Sequence, residues 1–205
     1  MKKKYKLILF DLDGVIIDSK KNMEISWSAV QVAFKIDIPF DKYFELIGRP
    51  FKDIMNMLGL SSLSNDIKKV YDVVSSCRID LIKDYNEAID LINKLRAKGI
   101  RVGVVTSKDE QRTLEIIKHL DILFDVIDCP DDSIRGKPNP DQLLRAILKC
   151  QIGPLETLYI GDMKTDYVSA KSAGMDYVHA GWGFGDCNTD VLRASKPSDI
   201  MGLII

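Results

Sequence analysis

The chain has 205 residues, 46% of them hydrophobic and 29% charged, and Lys+Arg 29 against Asp+Glu 30 gives a net charge of −1. A chain of this length buries roughly 70% of its unfolded surface, so it can hold a core without staples. Ordinary apolar and charged fractions exclude a disordered or collagen-like chain, and near-neutrality leaves no overall field for nucleic acid or an anionic membrane.

Met1 to Lys4 begins like the basic start of a signal peptide. The apolar run that follows, Leu7-Ile8-Leu9-Phe10, stops at Asp11 and is too short for a secretory core or a membrane span. Lys2 to Lys4 reads as a solvated end, and the expected compartment is cytoplasmic. Short apolar runs at 5–10, 100–106, 124–128, 157–160 and 175–179 predict buried strands. Between them, 86–98, 110–120, 141–149 and 165–173 carry apolar residues at helical spacing, and Gly99 and Gly174 stand where two of these helices should end. This alternation predicts an α/β fold, a Rossmann-like doubly wound parallel sheet. The first strand departs from the pattern, because no strand is expected between about Lys20 and Tyr85. Helical patterns at 22–34, 41–47, 52–58 and 66–83 fill that stretch, broken by Pro39, Pro50 and Gly59. It is too long for a loop, so it predicts an inserted all-helical cap domain at 19–85. Residues 1–18 and 86–205 then form the core.

Cys77, Cys129, Cys150 and Cys187 are widely spaced, with no C-x-x-C and no His at ligand spacing. That is the pattern of reduced, mostly buried thiols rather than of zinc ligands or disulfides.

In an open parallel sheet, ligands bind at the carboxyl ends of the strands. The residues there are Asp11-Leu12-Asp13-Gly14 after the first strand, Thr106-Ser107 after the second, and Gly161-Asp162 after the fourth, with Asp166 one helical turn on. Lys137 lies in the loop before the helix that leads to the fourth strand. Close carboxylates repel one another, so grouping them usually serves a cation. Hard oxygen donors without His or Cys suit Mg2+, which typically co-binds a phosphate. Lys137 and Thr106 supply a matching anion site, and two Asp residues one position apart offer a nucleophile and a proton donor. The pattern reads as metal-assisted phosphoryl transfer.

Leu7-Ile8-Leu9-Phe10-Asp11-Leu12-Asp13-Gly14-Val15, Val104-Val105-Thr106, Lys137-Pro138-Asn139-Pro140-Asp141 and Gly161-Asp162-x-x-x-Asp166 together resemble the four-motif signature of the haloacid dehalogenase superfamily. The helical insertion, Asp18-Ser19 and Ala173-Gly174-Met175 resemble its phosphoglycolate-phosphatase-like branch. The resemblance implies that Asp11 forms an aspartyl-phosphate and that Asp13 protonates the leaving oxygen and then activates water. It implies that Thr106 and Lys137 hold the phosphoryl group. It places Mg2+ on Asp11, the Asp13 carbonyl and Asp162, with Asp166 supporting. Asp13 separates the chain from true dehalogenases, whose halide leaving group needs no proton, and Ser107 stands where many relatives carry Asn. Arg49, between Gly48 and Pro50, matches a turn that faces the site in similar proteins and is expected to contact a second anion of the substrate.

The expected partner is a small phosphorylated metabolite, with no nucleic acid and no membrane; its identity and the oligomeric state are left open. A phosphosugar mutase of the same chemistry and a catalytically silent interaction module are the rivals. Gly181-Trp182-Gly183-Phe184-Gly185 lacks dinucleotide spacing and reads as a loop over the rim of the site. His119 and His179 read as structural, and Met23, Trp27 and Phe34 as packing in the cap.

Overall fold

The computed structural model describes residues 5–187 and 189–204, so the basic start at Met1 to Lys4 lies outside the described residues. Six parallel strands form one sheet in the order β5 (Val126–Asp128), β4 (Arg101–Val105), β1 (Leu7–Phe10), β6 (Thr157–Gly161), β7 (Asp176–Ala180) and β8 (Arg193–Ala194). Leu7 pairs with Arg101 on one side and Thr157 on the other.

Alternation along the central strand assigns its side chains to two layers. Ile8 and Phe10 pack with Leu91, Ile92 and Leu95 of α5 (Asn86–Ala97) and with Ile116 of α6 (Glu110–His119). Leu7 and Leu9 pack with Leu143 and Ile147 of α7 (Asp141–Cys150) and with Ala170 of α8 (Lys164–Ser172). Both faces are therefore covered, which explains why β1 is apolar at every position; each such buried side chain contributes roughly 1.5–3 kcal/mol. Helices α5 and α8 end where expected, with Gly99 and Gly174 at φ +74° and +70°. The chain winds outward from β1 through β4 to β5, then crosses back to β6 and out through β7. The switch in strand order falls between β1 and β6.

After β1 the chain leaves the sheet through β2 (Ile17–Asp18) into α1 (Lys20–Phe34), α2 (Phe40–Phe44), α3 (Phe51–Met57) and α4 (Ser64–Cys77). These helices share a core of Trp27, Tyr43, Ile54, Met55, Ile67 and others, in which Trp27 stacks on Tyr43 at 4.5 Å. Met23 and Phe34 pack into the same cluster.

Two expectations are corrected here. The last helix of the insertion does not run to residue 83: α4 ends at Cys77, and a 3₁₀ turn at Ile79–Leu81 follows. A strand also lies in the stretch expected to have none, because β3 (Lys83–Asp84) pairs antiparallel with β2. The physical reason is shared. The returning chain must run beside the outgoing one, and Asn22 supports the break by donating to the carbonyls of Ser75 and Arg78 at 2.9 and 2.8 Å. Cys129, Cys150 and Cys187 are buried free thiols and Cys77 is exposed. His179 is buried beside the Tyr177 hydroxyl at 3.2 Å, whereas His119 is exposed in the last turn of α6 and packs in no core. Among the described residues, no helix is long and apolar enough to cross a membrane.

Candidate active site

The switch in strand order opens a crevice at the carboxyl ends of β1 and β6, and the acids line it. Asp11 continues the ladder past β1, its N–H donating to the Ile160 carbonyl at 2.9 Å, so its Cα cannot wander. The chain then folds back tightly, with Gly14 N–H bonded to the Ile17 carbonyl at 2.8 Å. Gly14 adopts φ +82°, and a Cβ there would lie 2.2 Å from Asp162 Oδ2. Only glycine satisfies both constraints.

Lys137 is fully buried, and its Nζ lies 2.9 Å from Asp11 Oδ1 and 2.8 Å from Asp166 Oδ1. Asp166 also accepts from the Tyr159 hydroxyl at 3.0 Å, while its Oδ2 caps the start of α8 by accepting from Met163 N–H at 3.0 Å. Asp162 is buried; its Oδ2 accepts from Phe184 N–H at 2.6 Å and its Oδ1 has no hydrogen-bond partner. Ligand oxygens of Asp11, Asp162 and Asp166 all lie within 4.8 Å of one another.

Three buried carboxylates against one ammonium leave the cluster too negative for its surroundings. Burial, opposed by Lys137 and reinforced by Asp166 and Asp13, pushes the Asp11 carboxyl up to about 7. Burial, then Asp166 and Asp11, hold the Asp162 carboxyl well above its ordinary range. Burial works against the Lys137 charge, but Asp11 and Asp166 outweigh it and keep the ammonium above its usual pKa. A divalent cation among these oxygens would relieve the repulsion. The unpartnered Asp162 Oδ1 and the all-oxygen donor set fit Mg2+.

Thr106 and Asp13 complete the rim. Thr106 N–H bonds to the Asp128 carbonyl at 3.1 Å, and Gln142 holds the Thr106 carbonyl at 2.9 Å. Asp13 Oδ1 accepts a hydrogen bond from Ser19 Oγ, and Lys108 Nζ stands 3.3 Å from its Oδ2. One cavity is lined by Asp11, Asp13, Thr106, Ser107 and Arg49 together with Lys108. Ser107 Oγ does not point freely into it, since it donates to the Gly48 carbonyl at 3.0 Å. Arg49 is half-buried and donates to the Leu46 carbonyl at 3.2 Å.

The structure thus brings Asp11, Asp13, Thr106, Ser107, Lys137, Asp162, Asp166 and Arg49 to one crevice. Sequence reasoning missed Lys108, although it directly follows Ser107 at the same strand end. It also missed Tyr159, whose position reads as plain strand core; it placed Phe184 in a loop over the rim but not its main-chain N–H on Asp162. Lys68 of α4 crosses to the core by pairing with Asp109 at 3.0 Å; nothing in the local sequence marks it.

Residues 8–180 match the haloacid dehalogenase-like hydrolase family. The pyrophosphatase PpaX of Bacillus mycoides (strain KBAB4) is 27% identical over 183 residues, covering 87% of this chain and 85% of that one. PpaX of Bacillus cereus (strain G9842) is 26% identical over 179 residues, covering 85% and 82%. A crystal structure from Lactobacillus plantarum, provisionally assigned as a phosphoglycolate phosphatase, superposes with a TM-score of 0.86 at 26% identity, covering 98% of this chain and 99% of that one. CbbY from Rhodobacter sphaeroides, solved in complex with phosphate, shares the fold with a TM-score of 0.83 at 17% identity, covering 98% and 100%.

Proposed function

The chain belongs to the haloacid dehalogenase-like hydrolases, and from that membership we propose that it is a Mg2+-dependent phosphatase acting on a small phosphorylated metabolite. The observation that carries this reading is the buried Lys137 between Asp11 and Asp166, beside the unpartnered Asp162 oxygen. A cation-binding acid cluster and a fixed ammonium at the same strand ends are what a transferring phosphoryl group requires.

In the proposed reaction an Asp11 oxygen attacks phosphorus, and the bond from phosphorus to the leaving oxygen breaks. Asp13 gives its proton to that oxygen. Water then attacks the aspartyl-phosphate and loses a proton to Asp13. The bond between phosphorus and Asp11 breaks, releasing phosphate and restoring the carboxylate. Thr106 and Lys137 hold the phosphoryl oxygens, and Lys137 keeps Asp11 oriented throughout. Asp11, the Asp13 carbonyl and Asp162 would hold Mg2+, with Asp166 supporting through Lys137. When bound, the ion neutralises charge on the phosphoryl group and favours the ionised form of Asp11.

Residues 19–85 act in this reading as a cap domain on a core of 1–18 and 86–205, and Arg49 is the cap's contribution to specificity. The half-buried Arg49 on the cavity wall, with Lys108 opposite Asp13, supports a substrate carrying a second anion. Pyrophosphate, the substrate class in the PpaX name, meets that requirement, as does a phosphorylated carboxylic acid. The test is phosphate release from a panel of phosphorylated metabolites and pyrophosphate with Mg2+, comparing wild type with Asp11→Asn. Release by wild type alone supports the reading, and release by neither protein on any substrate overturns it.

A further inference from the structure

The loop from Gly181 to Gly185 has no part in the chemistry just described, yet it is built into the site from Trp182 to Gly185. Trp182 Nε1 donates to the Val15 carbonyl at 3.1 Å, tying the loop to the turn that follows Asp13. A Cβ on Gly183 would lie 2.3 Å from the Asp162 Cβ, and one on Gly185 would lie 2.4 Å from Met163 Sδ. Glycine at both positions lets the loop press directly against the Asp162 segment.

Phe184 faces two ways. Its main-chain N–H donates to Asp162 Oδ2 at 2.6 Å, which leaves Oδ1 as the oxygen without a hydrogen-bond partner. Its ring packs against Phe44 of α2, with centroids 5.4 Å apart and planes inclined at 58°. Phe184 and Met163 are the residues through which the core joins the apolar cluster of the helical insertion. The contact with the insertion and the bond that orients a candidate metal ligand therefore belong to one residue.

We propose that Phe184 is a positioning residue that couples docking of the helical insertion to the rotation of the Asp162 carboxylate, so that the docked insertion raises the affinity of the metal site. The inference rests on the metal-site reading above. When α2 supports the Phe184 ring, the loop cannot lift and the N–H stays on Oδ2, which leaves Oδ1 as the free oxygen of a carboxylate grouped with those of Asp11 and Asp166. When Phe44 is absent, the Phe184 ring loses its partner in α2, the loop keeps its Trp182 and main-chain anchors, and Asp162 gains rotational freedom, which metal binding must then remove. Coupling between two sites is reciprocal, and its usual range starts at about fivefold in affinity.

The probe is Mn2+ alone, titrated into the metal-free protein with free Mn2+ read by electron paramagnetic resonance. Phe44→Ala and Phe184→Ala are each expected to weaken binding by about fivefold or more, and the double variant should bind no more weakly than the worse single one. Phe184→Tyr, which keeps the ring, should stay within about twofold of wild type. A merely structural role would lower the melting temperature without moving Mn2+ affinity measured well below it. If Phe184→Ala does not fold, Phe44→Ala carries the same expectation with the loop sequence intact. Mn2+ affinity in Phe44→Ala within about twofold of wild type, or additive losses in the double variant, would overturn the coupling alone. Equal Mn2+ binding by wild type and Asp162→Asn would overturn the metal-site reading itself.

Discussion

Ser107 Oγ donates to the carbonyl of Gly48 at 3.0 Å, joining the end of β4 to the turn of the insertion that carries Arg49. The turn is pinned at two further points. Gly48 sits at φ +81° where a Cβ would lie 2.7 Å from Thr165 Oγ1, and Pro50 lies so close to Gly136 that a Cβ there would be 2.2 Å from its ring. The backbone on both sides of Arg49 is therefore held in place, and its half-buried side chain lines the cavity.

Arg49→Ala is expected to raise KM for the best doubly anionic substrate about tenfold or more while sparing para-nitrophenyl phosphate, which offers no second anion. Ser107→Ala should act in the same direction and less strongly, because it loosens the turn without removing the cation. Unchanged steady-state kinetics in Arg49→Ala would move the search to Lys108. Lys52 is a poor substitute, since its side chain is exposed and pairs with Asp132.

Asp11→Asn keeps the shape of the side chain but removes the attacking charge. Turnover should fall by roughly three orders of magnitude or more in a phosphate-release assay. Near-normal activity in the purified variant would remove Asp11 from the nucleophile's role.

The same substitution has a pH-dependent effect on stability. Burial raises the Asp11 carboxyl from 3.8 to about 7, so the folded state binds this proton more tightly than the unfolded one. The stability it contributes is present at low pH and lost as the pH rises through about 7. In chelator, Asp11→Asn should therefore raise Tm at pH 8 by on the order of 5 °C, and much less at pH 5, where wild-type Asp11 is protonated. Melting curves at the two pH values check this, and an equal shift at both would contradict it.

Asp13→Asn should separate substrates by leaving group. An alkyl phosphate needs its departing oxygen protonated and should lose far more turnover than para-nitrophenyl phosphate, whose phenolate leaves unaided. Equal losses on both would show that Asp13 acts through the geometry of its surroundings, in which Ser19 and Lys108 hold its two oxygens.

Chelation with EDTA should abolish phosphate release, and Mg2+ should restore it. Ca2+ should substitute poorly, because it prefers more ligands at longer distances than two carboxylates, a main-chain carbonyl and a phosphate can offer in line. Full activity in chelator would take the metal out of the reaction.

The parallel sheet and the acids at its rim were legible in the amino-acid order. Strands buried on both faces must be short and continuously apolar, so the acids that end them stand out at Asp11, Asp13 and Asp162. Gly99 and Gly174 marked two helix ends because a left-handed residue is needed there. The insertion was legible because ninety residues separate two strands that pair directly, Leu7–Phe10 and Arg101–Val105, and the stretch between them carries helical periods.

What only the tertiary structure decided are contacts between residues far apart in the chain. Strands β2 and β3 are two residues each, too short to carry a period, and they exist because the outgoing and returning chains meet. Ser107 and Gly48 are 59 positions apart, and Phe184 and Asp162 are 22 apart; in both pairs one partner is a main-chain group that every residue type possesses. No side-chain pattern announces a main-chain donor or acceptor. The chemistry of the candidate site is written in residue types, whereas the partners that hold Asp162 and the turn of Arg49 come from residues brought near only by the fold.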